Sequence, residues 1–113
     1  MSYKIVPTQT FDRAVKRLAK KHRSIKADLY ELGQQLEENP TIGDEVIEHC
    51  YKIRMAIGSK NKGKSGGARV ITYVYVAQET VFLLSIYDKG EQEDIGNHEL
   101  KELIQALGLE ENR

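Results

Sequence analysis

The sequence predicts a small α+β domain with the element order β-α-α-β-β-β-α. Three observations carry this reading. Two stretches near the start repeat apolar residues at helical spacing. Three later runs are rich in the β-branched and aromatic residues that strands favour. The links between those runs are short, so consecutive strands should pair antiparallel. A chain of 113 residues suits one domain spanning residues 1–113, and 40% apolar content suffices for a core.

Each element has its own signature. Tyr3 to Val6 is a short strand stopped by Pro7. Thr10 can cap a helix whose apolar face is Phe11, Ala14, Val15, Leu18 and Ala19. Lys21 to Arg23 form a corner, and Ser24 can cap a second helix with the stripe Ile25, Leu29, Leu32 and Leu36. Asn39-Pro40 ends it, because proline disfavours the helical region for the residue before it. Two helices joined so closely should form a helical hairpin. Thr41 to His49 reads as a polar connection. In Cys50 to Ile57, Tyr51, Ile53, Met55 and Ile57 alternate with Lys52 and Arg54, giving one dry and one basic face. Ala68 to Val76 and Thr80 to Tyr87 follow as strands, joined by a hairpin turn at Ala77 to Glu79. Asn97 can cap a short final helix with the stripe Leu100, Leu103, Ile104 and Leu107, which Gly108 stops. Glu110 to Arg113 reads as a frayed tail. The expected architecture is an N-terminal strand and helical hairpin packed on a mainly antiparallel four-stranded sheet, with the helices on one face.

The formal net charge is zero, so bulk charge gives no argument for nucleic acid; the distribution does. Residues 13 to 26 hold Arg13, Lys16, Arg17, Lys20, Lys21, Arg23 and Lys26. Residues 28 to 48 hold seven acids and no Lys or Arg. Between Tyr51 and Val76 lie Lys52, Arg54, Lys60, Lys62, Lys64 and Arg69, with no Asp or Glu. Such blocks imply a basic face kept open for a polyanion and an acidic face elsewhere. Cys50 is the only cysteine, which fits a reducing compartment. The first residues lack the pattern of a secretory signal, and no apolar run approaches membrane length, so a cytoplasmic protein with no membrane contact is expected.

The candidate chemistry narrows quickly. His22, His49 and His98 sit far apart with one Cys, so no zinc-ligand spacing exists and no metal is expected. His49 and Cys50 are adjacent on a strand and point to opposite faces, which argues against a nucleophilic pair. Gly63-Lys64-Ser65 suggests a phosphate loop, but the earlier glycine is missing and a strand follows where a helix is needed. The loop is then either a soluble hairpin tip or an RNA-gripping loop whose lysines Lys60, Lys62 and Lys64 meet phosphates. The basic face of the first helix, with Arg13, Lys16, Arg17 and Lys20, offers a second RNA contact. Lys52 and Arg54 project from one strand face, and Arg69 on its neighbour can complete a trio suited to a pentavalent phosphorane. Tyr87 and Lys89 close the third strand, where Tyr87 can move a proton if nearby cations lower its pKa and Lys89 can lend charge.

Taken together, Tyr51-Lys-Ile-Arg54, Lys60-x-Lys-Gly-Lys-x-Gly-Gly-x-Arg69, Ser85-Ile-Tyr-x-Lys89 and Glu91-x-x-Asp94 resemble the RelE/ParE superfamily of bacterial toxins. The match is closest to the HigB-like branch of RelE-type mRNA interferases. The resemblance covers nearly the whole chain and implies a RelE-like fold. It implies a cytoplasmic, metal-independent endoribonuclease without a cofactor, acting on mRNA in the ribosomal A site beside 16S rRNA. The substrate 2′-hydroxyl would attack its own 3′-phosphate, leaving a cyclic phosphate and a 5′-hydroxyl. A cognate antitoxin protein would neutralise it. The family's basic site residues fall on Lys52, Arg54, Arg69 and Lys89. The tyrosine that RelE carries beyond its last strand falls near Ile95, so Tyr87 is the remaining tyrosine and the general base is unassigned. Two other readings stay open: a ParE-like DNA gyrase inhibitor, and a catalytically degenerate member that binds RNA or antitoxin without cutting.

Overall fold

The computed structural model describes residues 2–61 and 63–112. The chain runs β1 (Lys4–Pro7), α1 (Gln9–Ala19), α2 (Ile25–Glu38), β2 (Asp44–Ile47), β3 (Cys50–Met55), β4 (Ala68–Tyr75), β5 (Thr80–Asp88) and α3 (Asn97–Gln105). One sheet holds five strands in the order β1-β5-β4-β3-β2, so the expected four-stranded sheet gains an edge strand. That extra strand is β2, drawn from the stretch expected to be a polar connection. Asp44 and Glu45 pair with Lys52 and Tyr51, and an edge strand needs no apolar alternation. Every pairing is antiparallel except β1 with β5, which the crossover through α1 and α2 makes parallel.

The helices do not share one face, contrary to the sequence expectation. α1 and α2 bury Phe11, Leu18, Ile25, Leu32 and Leu36 against Ile53, Met55, Val70, Val74, Val81 and Leu83. α3 covers the opposite side, where Leu100 meets Cys50, Ile71, Tyr73, Tyr75 and Leu84. All eight residues of β4 are therefore buried, as expected for a strand with cover on both faces. Helix capping also differs in detail. Thr8, not Thr10, caps α1: its Oγ1 accepts the Phe11 N–H at 3.2 Å and donates to the Leu83 carbonyl at 2.9 Å. Ser24 turns its hydroxyl to Asp28 and Ser59 instead of capping α2, and Gly96, not Asn97, precedes α3. The tail expected to fray is held at Asn112, which accepts the Val76 N–H and donates to the Val74 carbonyl; Arg113 lies outside the described residues.

One buried carboxylate ties three parts of the chain together. Asp88, at the end of β5, has a side chain only 6% exposed. It accepts from Lys60 Nζ at 2.7 Å and from the Gly90 N–H at 2.9 Å, and it pairs with His22 Nε2 at 2.9 Å. His22 comes from the α1–α2 corner and Lys60 from the loop between β3 and β4. Burial pushes the Asp88 carboxyl up, but the bonds from Lys60, Gly90 and His22 outweigh it and hold it below the usual 3.8.

Asp88→Asn keeps the shape and removes the charge. It strands Lys60 without its counter-charge, so a loss of about 3 kcal/mol is expected from urea unfolding. The folded pKa is lowered, so the carboxylate's contribution is present above the unfolded value and lost as pH falls through the folded one. The wild type should therefore lose stability below the ordinary carboxylate range more steeply than Asp88→Asn does, as an acid titration of the unfolding midpoint would record.

Candidate functional site

Register decides which side chains share a face. Arg54 pairs directly with Arg69, and Arg69 with Tyr87, so the three form a row across β3, β4 and β5. Lys52 lies two residues up the same face of β3. Tyr87 joins this row because of a bulge in β5. Ile71 pairs with Ser85 and Thr72 with Leu83, leaving Leu84 as the extra residue. Before the bulge Val81 and Leu83 face the helical hairpin; after it Ile86 does, and Tyr87 turns to the α3 side.

The members of the row are not equivalent. Arg54 is exposed and Lys52 half-buried, but Arg69 is only 6% exposed. The Arg69 guanidinium faces inward and upward into the loop. Its Nη1 donates to the Lys64 carbonyl at 2.9 Å and the Ala68 carbonyl at 3.2 Å, and its Nη2 to the Ser65 carbonyl at 3.3 Å. Lys60, expected among the phosphate-gripping lysines, likewise points inward, donating to the Gly66 carbonyl at 2.9 Å as well as to Asp88. The far end of the loop is pinned by Gly58 N–H to Asp28 and Ser59 N–H to Ser24. At the return, a Cβ on Gly67 would lie 2.2 Å from the Met55 carbonyl, so only glycine fits there. The lysine-glycine segment is thus a built loop, not a loose tip, and two internal cations hold its carbonyls. Lys64 remains exposed; Lys62 lies outside the described residues.

Lys64 and Arg54 flank an open groove between α2 and the edge of β3. It has about 240 Å³ of space, a floor of Leu32, Ile53 and Met55, and a far wall carrying Asp28 and Glu31. A second depression of about 500 Å³ shares Arg54 and Lys64 and reaches Lys52. The outer edge of β3 is open here because β2 stops pairing at Lys52.

Two groups behave differently from the sequence expectation. The Tyr87 phenol has its pKa raised, not lowered: burial and the Asp94 carboxylate push it up, against the opposing pull of Arg69. Lys89 bonds Glu93 at 3.0 Å and the Glu93 carbonyl at 3.1 Å, at the mouth of the β5–α3 link. The residue that sequence reasoning passed over is Asp94. Its Oδ1 meets Lys52 Nζ at 3.2 Å, Tyr87 Oη at 3.5 Å and the Ile95 N–H at 2.9 Å. The Ile95 N–H and then Lys52 hold its carboxyl below the usual carboxylate range. Its place in Glu91-x-x-Asp94 was the only signal in the sequence.

The basic block of α1 lies apart from this row. α1 is on the hairpin side of the sheet, with Arg13, Lys16 and Lys20 exposed. Arg17 bonds Glu91 at 3.3 Å, and Lys21 pairs with the same carboxylate. Cys50 is buried, and burial pushes its thiol up to about 11, which leaves it unreactive. Among the described residues no three His, Cys, Asp or Glu side chains converge as metal ligands. No helix among them is long and apolar enough to cross a membrane.

Because Arg69 holds the loop through three carbonyls, Arg69→Ala should release it. Amides of the loop such as Lys60 and Gly67 should lose protection by about 2 kcal/mol, while the β4–β5 ladder keeps its own. Hydrogen exchange read residue by residue checks this; equal loss across the sheet would show instead that Arg69 supports the core.

The sequence matches a family model described as the RelE toxin of the RelE / RelB toxin-antitoxin system over residues 3–109. Among solved structures, a double arginine-to-alanine mutant of E. coli toxin RelE in the free state superposes with a TM-score of 0.61. The two are 20% identical, with 95% of this chain and 99% of that one covered. The isolated E. coli RelE toxin gives 0.55 at 19% identity, covering 94% and 99%. The toxin-antitoxin complex RelBE2 from Mycobacterium tuberculosis gives 0.56 at 16% identity, covering 78% and 92%. These likenesses show the shared α+β fold, and the family match extends over the helical hairpin, the whole sheet and α3. The chain with the Lys52–Arg54–Arg69–Tyr87 row therefore belongs to the RelE toxin family.

Proposed function

We propose that this chain is a toxin that cleaves mRNA in the ribosomal A site and is held inactive by a cognate antitoxin. The observation that carries the reading is the open pair Arg54 and Lys64 beside Lys52. Arg54 and Lys64 are exposed and, among the described residues, form no ion pair. Unpaired cations crowded at a groove repel one another and are stabilised by an anion that fills it. Arg54 can meet two phosphate oxygens with its fork, and Lys64 offers a point charge from a fixed loop.

The reaction that suits these groups is attack by the substrate 2′-hydroxyl on the adjacent phosphorus. Charge builds on the non-bridging oxygens, and preset cations lower that barrier without reorganising. Lys52 and Arg54 serve the phosphorane. Arg69 acts at one remove, by fixing the loop that presents Lys64. Lys60 has the same structural part, and Lys89 is paired with Glu93. The exposed Arg13, Lys16 and Lys20 suit 16S rRNA or mRNA flanking the cut, with Arg17 partly neutralised by Glu91. RelE-family membership supports the antitoxin partner, and the HigB-like branch and a cytoplasmic site of action go with the same reading.

Primer extension on a defined mRNA, with translating ribosomes and with bare RNA, tests the proposal. Cuts confined to translating ribosomes are expected, and Arg54→Ala should slow them by about a hundredfold without changing the melting temperature. Binding should weaken steeply with salt, by a logarithmic slope of about −0.7 per phosphate contacted. No cuts in either setting, with gyrase blocked instead, would replace this reading with the ParE-like one.

A further inference from the structure

We infer that Asp94 is the proton acceptor for the attacking 2′-hydroxyl, a role that rests on the RNA-cleavage reading above. The two carboxylate oxygens of Asp94 are used differently. Oδ1 takes all three contacts: Lys52 Nζ at 3.2 Å, Tyr87 Oη at 3.5 Å and the Ile95 N–H at 2.9 Å. Among the described residues Oδ2 has no partner, and the side chain is 62% exposed. One oxygen anchors the carboxylate and the other faces solvent with its lone pairs free. A group built only to neutralise Lys52 would not need a buried tyrosine and a backbone amide to fix its angle.

Position follows from Lys52. A phosphate oxygen gripped by Lys52 puts the neighbouring ribose beside the carboxylate that already touches the same ammonium. A general base needs hydrogen-bond reach to its proton before it needs a matched pKa. Tyr87 is turned to another use: its Oη donates to Asp94 Oδ1 at 3.5 Å, and burial beside the Asp94 carboxylate raises its pKa. Tyr87 is instead a positioning residue. The lowered pKa of Asp94 makes it a weaker base but keeps every molecule in the accepting form at neutral pH.

The 2′-O–H bond breaks and its proton moves to Asp94 Oδ2. The 2′-oxygen bonds to phosphorus as the P–O5′ bond breaks, and that electron pair leaves on the 5′-oxygen. The 5′-oxygen takes a proton from water, and Asp94 returns its own to solvent, so no proton is consumed overall.

Single-turnover cleavage of a synthetic mRNA on programmed ribosomes tests this with wild type, Asp94→Asn and Asp94→Glu. Asp94→Asn keeps the shape and the anchoring oxygen, and should cleave about a hundredfold or more slowly, with Asp94→Glu recovering part of the rate. Melting temperature and antitoxin binding should stay as in wild type, which a merely structural role would not allow. A substrate with sulfur in place of the bridging 5′-oxygen separates the two ends of the reaction. A sulfur leaving group needs no proton, so the Asp94→Asn defect should persist with it. Disappearance of the defect would place Asp94 at the leaving group and overturn the assignment. So would an Asp94→Asn rate within about threefold of wild type. If wild-type protein itself cuts no RNA, the RNA-cleavage reading falls, and this assignment with it.

Discussion

The carboxylate of Asp88 is the point on which the molecule's organisation turns. It ends the central hairpin, sits almost out of water, and collects a lysine, a histidine and a backbone amide. A buried charge is tolerable only when its partners are in place, so the α1–α2 corner and the β3–β4 loop must both arrive for β5 to end where it does. The same carboxylate that anchors the hairpin layer therefore also sets the height of the loop over the strand row. Lys60, drawn to Asp88, reaches the Gly66 carbonyl on the way, and the loop closes over Arg69 from the other side. Fold and site share one electrostatic anchor.

This arrangement divides four basic residues of the centre into two pairs, while Lys52 is held by Asp94. Lys60 and Arg69 are consumed by carbonyls and a carboxylate inside the protein; Arg54 and Lys64 are left facing the groove. A run of six cations without an acid is therefore not a uniform patch. Part of it is scaffolding that makes the rest rigid, and rigidity matters because catalysis by preset charge fails when the charge can drift.

How much of this was legible in the sequence depends on which physics each residue obeys. The helical hairpin and β3 were readable from the period of their apolar residues, and β4 and β5 from their β-branched and aromatic content. β2 was not, because an edge strand pairs through backbone and leaves Asp44 and Glu45 in solvent. The two-sided cover of the sheet was missed, because the stripe of α3 carries no mark of which face it will meet. At the site, the alternation of Lys52 and Arg54 gave their shared direction, but the register that sets Arg54 opposite Arg69 came only with the structure. The inward turn of Lys60 and Arg69 was hidden, since composition records a charge and not its partner. Asp94 was overlooked for the same reason, its importance arising wholly from a link segment folding back over Lys52.

The extra residue in β5 gives the site an unusual kind of evolutionary handle. Side chains alternate along a strand, so one inserted or deleted residue exchanges the two faces of everything that follows. Here the exchange begins after Leu84, so it spares Val81 and Leu83 on the hairpin side but decides whether Tyr87 or Ile86 looks toward Asp94. Among relatives of this chain, the tyrosine–carboxylate contact can thus be made or lost through the length of one strand, with every residue type at the site unchanged. Comparing such proteins column by column would then register a gap where the chemistry had in fact been rewired.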